Sequence, residues 1–511
     1  MLARVTLLAI HVLSAEGALY YPDARTSFLE HILVDNWGAY ASNFSSAITP
    51  CARYVTQTGD AALKSGRTTA AQWIRVLFHD MITANVTAGT GGVDASIGFE
   101  TARGEKSGSA FNDSFTFWRP FVNDAVSMAD LVALGTVMSD NLCGGRMMQY
   151  KAGRVDASSA GLTTGVPAPE TDLDTTLLYF ERAGFDRADA IGLTACGHTL
   201  SSVHHGGIPD VVDATAVTPN NSNGGADFDS TRGVFGPLVV QEYVSWAGQK
   251  GGPLVTTSNI STQSDRRLYE SDNNATMQAL LAQGPDFLDT CVSLMGRAID
   301  TMPYSVNLRS PITPMAIKPV NVTYDFGVDG KLKLSGNIRV LSAAGASSPS
   351  SLDLSINGYH ASLTAEDSTG SSVFGTTAYF PFSVSSDLIR NAPSFSVSAT
   401  SFALQGQIFV APSMTTITGA TVNATIASSG HACSSLSIEV HSPNRQGYTL
   451  APKVMQAGGN LTAVAPRIDG CGLCRAVMQL ADIPTDSIAV NALVSGGVVD
   501  TLFQNGGAVG W

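Results

Sequence analysis

Two textures divide the chain. From residue 18 to about 308, apolar residues recur every three or four positions, as in TTAAQWIRVLFHDM, FWRPFVNDAVSMADLVALGTVMSD, TDLDTTLLYFERAGF, DRADAIGLTACGHTLSSVHH and PDFLDTCVSLMGRAIDTM. That period predicts helices with one buried face. Capping residues such as Thr171 open several of them. Gly- and Asn-rich runs, NVTAGTGGVDAS and PNNSNGGADFDSTRG, predict the loops between. After the proline-rich SPITPMAIKP the period falls to two, in KLKLSGNIRV, SLDLSING, TAYFPFSV, SFSVSATSF, ATVNATIA, SLSIEV and SIAVNALV. Such alternation with Ser, Gly and Asn turns predicts antiparallel strands. The expected architecture is a mainly α domain over 18–308 and an all-β, Ig-like or sandwich region over 309–511, divided into units of about 309–410 and 411–511.

The start, MLARVTLLAIHVLSAEGALYYPD, places one arginine before an apolar run and small residues at Ala15 and Gly17. This predicts a signal peptide over 1–17 and a secreted, extracellular protein; a short buried helix is the competing reading. Sequons open at Asn43, Asn85, Asn220, Asn259, Asn274, Asn321, Asn423 and Asn460, as in a glycoprotein of the secretory route. No later stretch has the length and apolarity of a membrane span. A net charge of −13 argues against nucleic acid or an anionic membrane as partner.

Seven cysteines permit disulfides and leave one unpaired. The expected pairings are Cys51 with Cys143, and Cys433 with Cys471 or Cys474. CGLC could instead be half of a metal knuckle, and Cys196 is expected to be a buried structural thiol.

The chemistry concentrates in two helical segments. RVLFHD sets Arg75 and His79 four residues apart on one helical face with Phe78 beside them. A core histidine with an Arg75–Asp80 salt bridge would account for that segment alone. The second segment, AIGLTACGHTLSS, places His198 in another apolar helix. Two helices, each offering one inward histidine, can sandwich a planar cofactor. His198, His204 and His205 could also suggest a metal cluster, but surface or channel positions are the simpler reading for the latter two.

RVLFHD, GGVDASI, VSMADLVALG, LCGGRMMQYKAGRVDA, TTGVPAPETDLDTTLLYFERAGF, AIGLTACGHTL and FDSTRGVF occur in the order they take in the plant, fungal and bacterial haem peroxidases. Over roughly residues 25–305 the chain resembles the secretory plant and fungal branches of that family. The resemblance implies haem b, with His198 as proximal iron ligand and Asp272 as the carboxylate facing its other ring nitrogen; Asp265 and Glu270 are alternatives. It implies His79 as distal base, Arg75 as stabiliser of the charge that develops on peroxide, and Asn112 as the acceptor behind His79. Phe78 and Phe228 would wall the haem pocket.

Asp80 would then point away from His79 and, with Gly92, Asp94 and Ser96, form a distal Ca²⁺ site in an expanded, cysteine-free loop. Thr199, Asp229, Thr231 and the Val234 backbone resemble a proximal Ca²⁺ site, weakened because Gly236 replaces a carboxylate; an ordinary Asx or ST turn is the plainer reading of Asp229 and Thr231.

Phe78 and Phe228 stand where ascorbate and cytochrome c peroxidases carry tryptophan. Thr68, Gln72 and His204 cannot make the acidic manganese site, and Leu193 replaces a surface radical tryptophan. The resemblance therefore implies hydrogen peroxide and small organic, phenolic-type reductants as substrates, admitted past Pro167 and Pro169. Trp246 and Tyr150 are other surface candidates for long-range transfer. A different reading makes the chain an adhesin or wall-binding protein on a catalytically silent scaffold, its β region docking to wall or protein.

Overall fold

The structure is a computed structural model that describes residues 19–54, 64–104, 109–161, 166–385, 387–484 and 486–505. The segment read as a signal peptide lies outside the described residues.

Around Met128–Leu142, a helix whose residues are buried from Met128 to Asn141, the helical half builds its core. Its start is capped by the Ser127 hydroxyl, 3.1 Å from Asp130 N, and by the Asp156 carboxylate, which accepts from Met128 N and Ala129 N. Gly135 lies where Trp73 and Trp118 press in: a Cβ there would meet Trp118 at 2.8 Å. The helix Thr69–Met81 packs against this centre, its first turn capped by Thr68 Oγ1 on Ala71 N. The helix Arg187–His198 opens with a reciprocal Asp186–Asp189 capping box and ends on His198 itself.

Disulfides join Cys51 to Cys143, Cys196 to Cys291, and Cys433 to Cys474, leaving Cys471 as the free, buried cysteine. The first and third agree with expectation, and the third removes the metal-knuckle reading of CGLC. The second is a correction. Cys196 is no thiol: it ties the helix that carries His198 to the helix Phe287–Ile299, because both present a cysteine to the same buried seam.

The C-terminal half is antiparallel β throughout its sheets, with four sheets grouped around two apolar centres. The longest pairings align Leu332–Ser342 with Gly375–Val384 and with Ile317–Phe326. Register puts Ile338 opposite Phe380 and Leu334 opposite Val384, so that the period-two apolar positions meet on the buried face.

The two halves interlock. Trp37 and Gly38, from the helical half, pair with Ser371 and Gly370 as an edge strand of the first β sheet. Gly38 adopts φ +88°, and a Cβ there would meet Thr369 O at 2.6 Å, so glycine is required for this pairing. Leu19 and Tyr21 lie in the apolar centre of the β region.

Glu30, on the first helix (Ala24–Val34), meets Arg339 Nη2 at 2.5 Å and Lys318 Nζ at 2.8 Å. Asp35 meets Arg339 Nη1 at 3.0 Å, His31 at 2.8 Å and the Tyr379 hydroxyl at 2.9 Å. Glu30, Lys318 and Arg339 are almost wholly removed from water, so each charge is compensated only by its partners across the junction. Farther on, Arg119 pairs with Asp486 at 2.8 Å, and Gly98 O accepts from Leu450 N at 2.8 Å. The change of texture near residue 308 is therefore not a gap between independent bodies.

Candidate active site

Arg75 and His79 fall on one face of the helix Thr69–Met81, as the four-residue spacing requires. Arg75 Nε donates to His79 Nε2 at 3.4 Å, a contact that makes Nε2 the lone-pair end of a neutral ring. Phe111 packs edge-on to His79, centroids 5.2 Å apart, and lies under the Arg75 guanidinium at 5.1 Å. Phe78 meets His79 edge-on at 6.0 Å. His79 is buried, whereas Arg75 keeps a large accessible surface although protein encloses it. Its side chain thus projects into open space rather than packed atoms. Burial, and secondarily the Arg67 charge, pull its pKa down to about 10, which leaves the guanidinium charged at neutral pH.

Asn112 is exposed and turned towards Asp113, so the expectation that it supports His79 is corrected. The helix Ala110–Trp118 buries Ala110, Phe111, Ser114, Phe115 and Trp118, which leaves Asn112 on the outer face.

His198 places Nδ1 2.9 Å from Asp265 Oδ2. The two buried atoms are at ion-pair distance without in-line hydrogen-bond geometry, and neither has another partner. The ring stacks on Phe228 with centroids 3.8 Å apart and planes 14° off parallel. Among the described residues Nε2 makes no hydrogen bond, and 21% of the side chain is accessible.

Asp272 is not the partner, a second correction. Its Oδ2 accepts from Thr276 N at 2.9 Å and Thr276 Oγ1 at 2.6 Å, holding the start of Ala275–Gln283. Glu270 pairs with Arg266 on the surface. Asp265 shares the short helix Ser264–Tyr269 with buried Leu268 and Tyr269, three and four positions on. That apolar face was a readable signal, whereas Asp272 sits in the polar run ESDNN.

These residues fit a haem. One imidazole has its Nδ1 beside a buried carboxylate and an Nε2 left to ligate iron, and a helix packed against its own carries a second imidazole and a guanidinium on one face.

Asp80 is buried, and its Oδ2 accepts from Asp94 N at 3.1 Å and Ala95 N at 2.8 Å, away from Arg75. Asp94 Oδ1 accepts from Ser96 N at 3.0 Å, and the Gly92 carbonyl accepts from Asp94 N at 2.9 Å. Burial raises the Asp94 pKa. Asp80, Gly92, Asp94 and Ser96 are thus gathered in one turn rich in hard oxygen atoms.

In the other loop, Asp229 Oδ1 accepts from Thr231 N and from Thr231 Oγ1, both at 2.7 Å, which is the plain turn. Asp229 Oδ2 is buried without a partner, and burial lifts the carboxyl to about 6. Thr199 donates its hydroxyl to Cys196 O, and the Val234 side chain is exposed. Among the described residues, no three His, Cys, Asp or Glu side chains group to hold a metal, His204 and His205 included.

His204 Nε2 meets Gly66 O at 3.1 Å, and His205 Nδ1 meets Val212 O at 2.7 Å. Tyr150 is buried with its hydroxyl on Asp130 O, so it is no surface residue; Trp246 is 52% exposed.

The helical core thus carries an Arg–His pair on one helix and a carboxylate-backed histidine on a helix packed against it. Residues 55–283 match the model of the family described as Peroxidase, and with the fungal relatives this match supports a non-animal haem-peroxidase scaffold there. The chain is 37% identical over 317 residues to a WSC domain-containing protein of Arthroderma benhamiae, covering 61% of this chain and 42% of the relative. It is 31% identical over 182 residues to manganese peroxidase H4 of Phanerodontia chrysosporium, covering 34% of this chain and 44% of the relative. Ligninase H2 of the same fungus is 26% identical over 290 residues, 51% of this chain and 72% of the relative. The chain spans less than half the length of the first two relatives.

Proposed function

We propose that the chain is a secreted haem peroxidase that reduces hydrogen peroxide and oxidises small organic donors. The Arg75–His79 pair on one helix and the His198–Asp265 pair at the end of a helix packed against it carry this reading. Haem, when bound, supplies the iron at which peroxide is reduced and through which donors lose electrons.

His198 Nε2 would hold that iron, and Asp265 beside Nδ1 makes the imidazole a stronger electron donor. His79 Nε2, as lone-pair end, takes the proton from peroxide and returns it to the departing oxygen. Arg75, charged and facing open space, stabilises the negative charge that develops as the O–O bond lengthens. Phe111 and Phe78 shield His79 from water. Ca²⁺ suits the oxygen-rich turn of Asp80, Gly92, Asp94 and Ser96, and the Asp229 turn keeps a buried, unpartnered Oδ2 for a second ion. Secretion rests on the N-terminal apolar segment, the sequons and the three disulfides. The buried ion pairs between the halves favour a structural role for the β region.

The test is an absorption spectrum of the purified chain before and after stoichiometric hydrogen peroxide. A Soret band of ferric haem with one histidine ligand, displaced by peroxide, is expected. A chain purified without haem, or an unmoved band, would favour the silent scaffold.

A further inference from the structure

Two sheets of the C-terminal β region end in open edges near one another. One ends in the strand Pro452–Gly459, the other in Thr462–Ile468, and the chain passes between them through Asn460 and Leu461. Thr462 pairs with Arg475 of the strand Cys471–Gln479; among the described residues no strand pairs with that side of it from Ala476 on. On its other side, pairing with Thr421–Ser428 continues to Gln479, and Leu480 N donates to Ala420 O at 2.8 Å. Bonded residues alternate along an antiparallel ladder. Ala476 and Met478 therefore turn their backbone groups to Thr421–Ser428, and Val477 and Gln479 turn theirs to the open side.

One of the two terminal edges is blunted by Pro466, Arg467 and a break in register between Val464 and Ile468. The other has neither charge nor proline from Val454 to Gly459. Met455 on it is 37% exposed, and Val477 across the gap is 63% exposed.

A crevice of about 250 Å³ opens between Pro452–Gly459 and the end of Cys471–Gln479. Ser442, Asn444, Gln456 and Gln479 line it with amides and a hydroxyl, and Met455 and Leu480 add apolar surface. Among the described residues no ionised side chain lines it. Gln479 accepts from Thr421 Oγ1 at 2.9 Å through Oε1, which leaves its N–H₂ group to donate. Neutral amides beside apolar atoms suit a sugar, with its hydroxyls and C–H faces, better than an ion. At about 250 Å³ the crevice falls below the about 300–1,000 Å³ of sites that enclose a free ligand, so it suits one tethered nearby.

A tether is in place. Asn460-Leu461-Thr462 is a sequon, and Asn460 is exposed. A Cβ on Gly459 would meet Met478 at 2.7 Å and Ala476 at 3.0 Å, so Gly459 faces the core on either side of Val477. The next residue, Asn460, faces out where the edge opens. Ala457, which lines the crevice, is three residues back, about 10 Å along the strand.

We propose that Asn460 carries an N-linked glycan whose first sugars lie in this crevice, against the open strand edge. The proposal concerns the β region rather than the peroxidase reaction, and it rests on the reading of the chain as secreted.

The full chain is to be produced through a eukaryotic secretory route and treated with peptide N-glycosidase in H₂¹⁸O, native and denatured. Mass spectrometry then reads occupancy and release at each sequon. Asn460 is expected to be occupied and to lose its glycan ~10-fold more slowly from the native chain than the exposed Asn43 and Asn220 do, with equal rates after denaturation. Gln456→Ala combined with Gln479→Ala should abolish that protection and leave occupancy unchanged. A bare Asn460 beside occupied sequons elsewhere overturns the proposal, as does native release as fast as at Asn43 and Asn220. Protection that survives the double substitution overturns the seat in the crevice. A chain bare at every sequon overturns the secretion reading together with the proposal, a result distinct from a bare Asn460 alone.

Discussion

Asp265 holds a carboxylate oxygen 2.9 Å from Nδ1 of His198, while Asp272, seven positions on, is committed to Thr276. The pair separates two otherwise similar substitutions. Asp265→Asn removes the charge beside the ring and should slow reaction with peroxide by about 10–100-fold, with a rise in the ferric/ferrous potential. Asp272→Asn should leave both unchanged and cost at most ~1 kcal/mol as a weakened cap. Stopped-flow kinetics and a redox titration of the two variants check this.

Asn112→Ala should leave the peroxide reaction unchanged, because Asn112 faces outward and Phe111 fills the place beside His79. A loss of rate with intact folding would return Asn112 to the distal pocket.

Arg339→Met should destabilise the chain by about 3–5 kcal/mol, because it strands Glu30 and Asp35 as buried, under-compensated carboxylates. Despite desolvation, the opposing charges of Lys318 and Arg339 hold the Glu30 pKa below its usual value; His31 and Arg339 do the same for Asp35. Their contribution is therefore present above pH ~4 and lost only as pH falls through the lower folded-state values. Calorimetric melting should show the helical and β halves unfolding in one transition that survives mild acid. Two separated transitions in the unaltered chain would contradict the interlock.

Asp140 works in the opposite direction. It is fully buried in the central helix, both carboxylate oxygens lack partners among the described residues, and burial pushes its pKa up to about 8. The folded chain keeps a proton that the unfolded chain releases above pH ~4, so stability falls as pH rises from there to about 8. Asp500, buried and pushed up to about 7, adds the same sign. Asp140→Asn should flatten that decline and gain on the order of a few kcal/mol at pH 8 relative to pH 5. Melting temperature against pH for the two proteins decides it.

Periodicity showed much of this fold in the sequence, since helical and strand positions are set by local burial. The placement of Arg75, His79 and His198 on helices was legible for the same reason: polar groups on apolar helical faces stand out. Asp265 stood only as an alternative to Asp272 because a carboxylate-rich run follows it, although Leu268 and Tyr269, three and four positions on, mark its side of that run as the inward one. Asn112 was misplaced because the resemblance assigns its role by position along the chain, whereas the helix Ala110–Trp118 turns it to the outer face. The Cys196–Cys291 bridge and the pairing of Trp37 with Ser371 join residues far apart in sequence, a relation that local patterns do not encode.

The central claim is that His79 moves the proton of peroxide at a haem held by His198. Stopped-flow mixing of His79→Leu protein, loaded with haem, against hydrogen peroxide tests it most directly. Loss of the general base should slow the peroxide-induced Soret change by at least about 10²–10⁴-fold while the resting spectrum stays that of a histidine-ligated haem. A Soret change as fast as that of the unaltered chain would contradict the account.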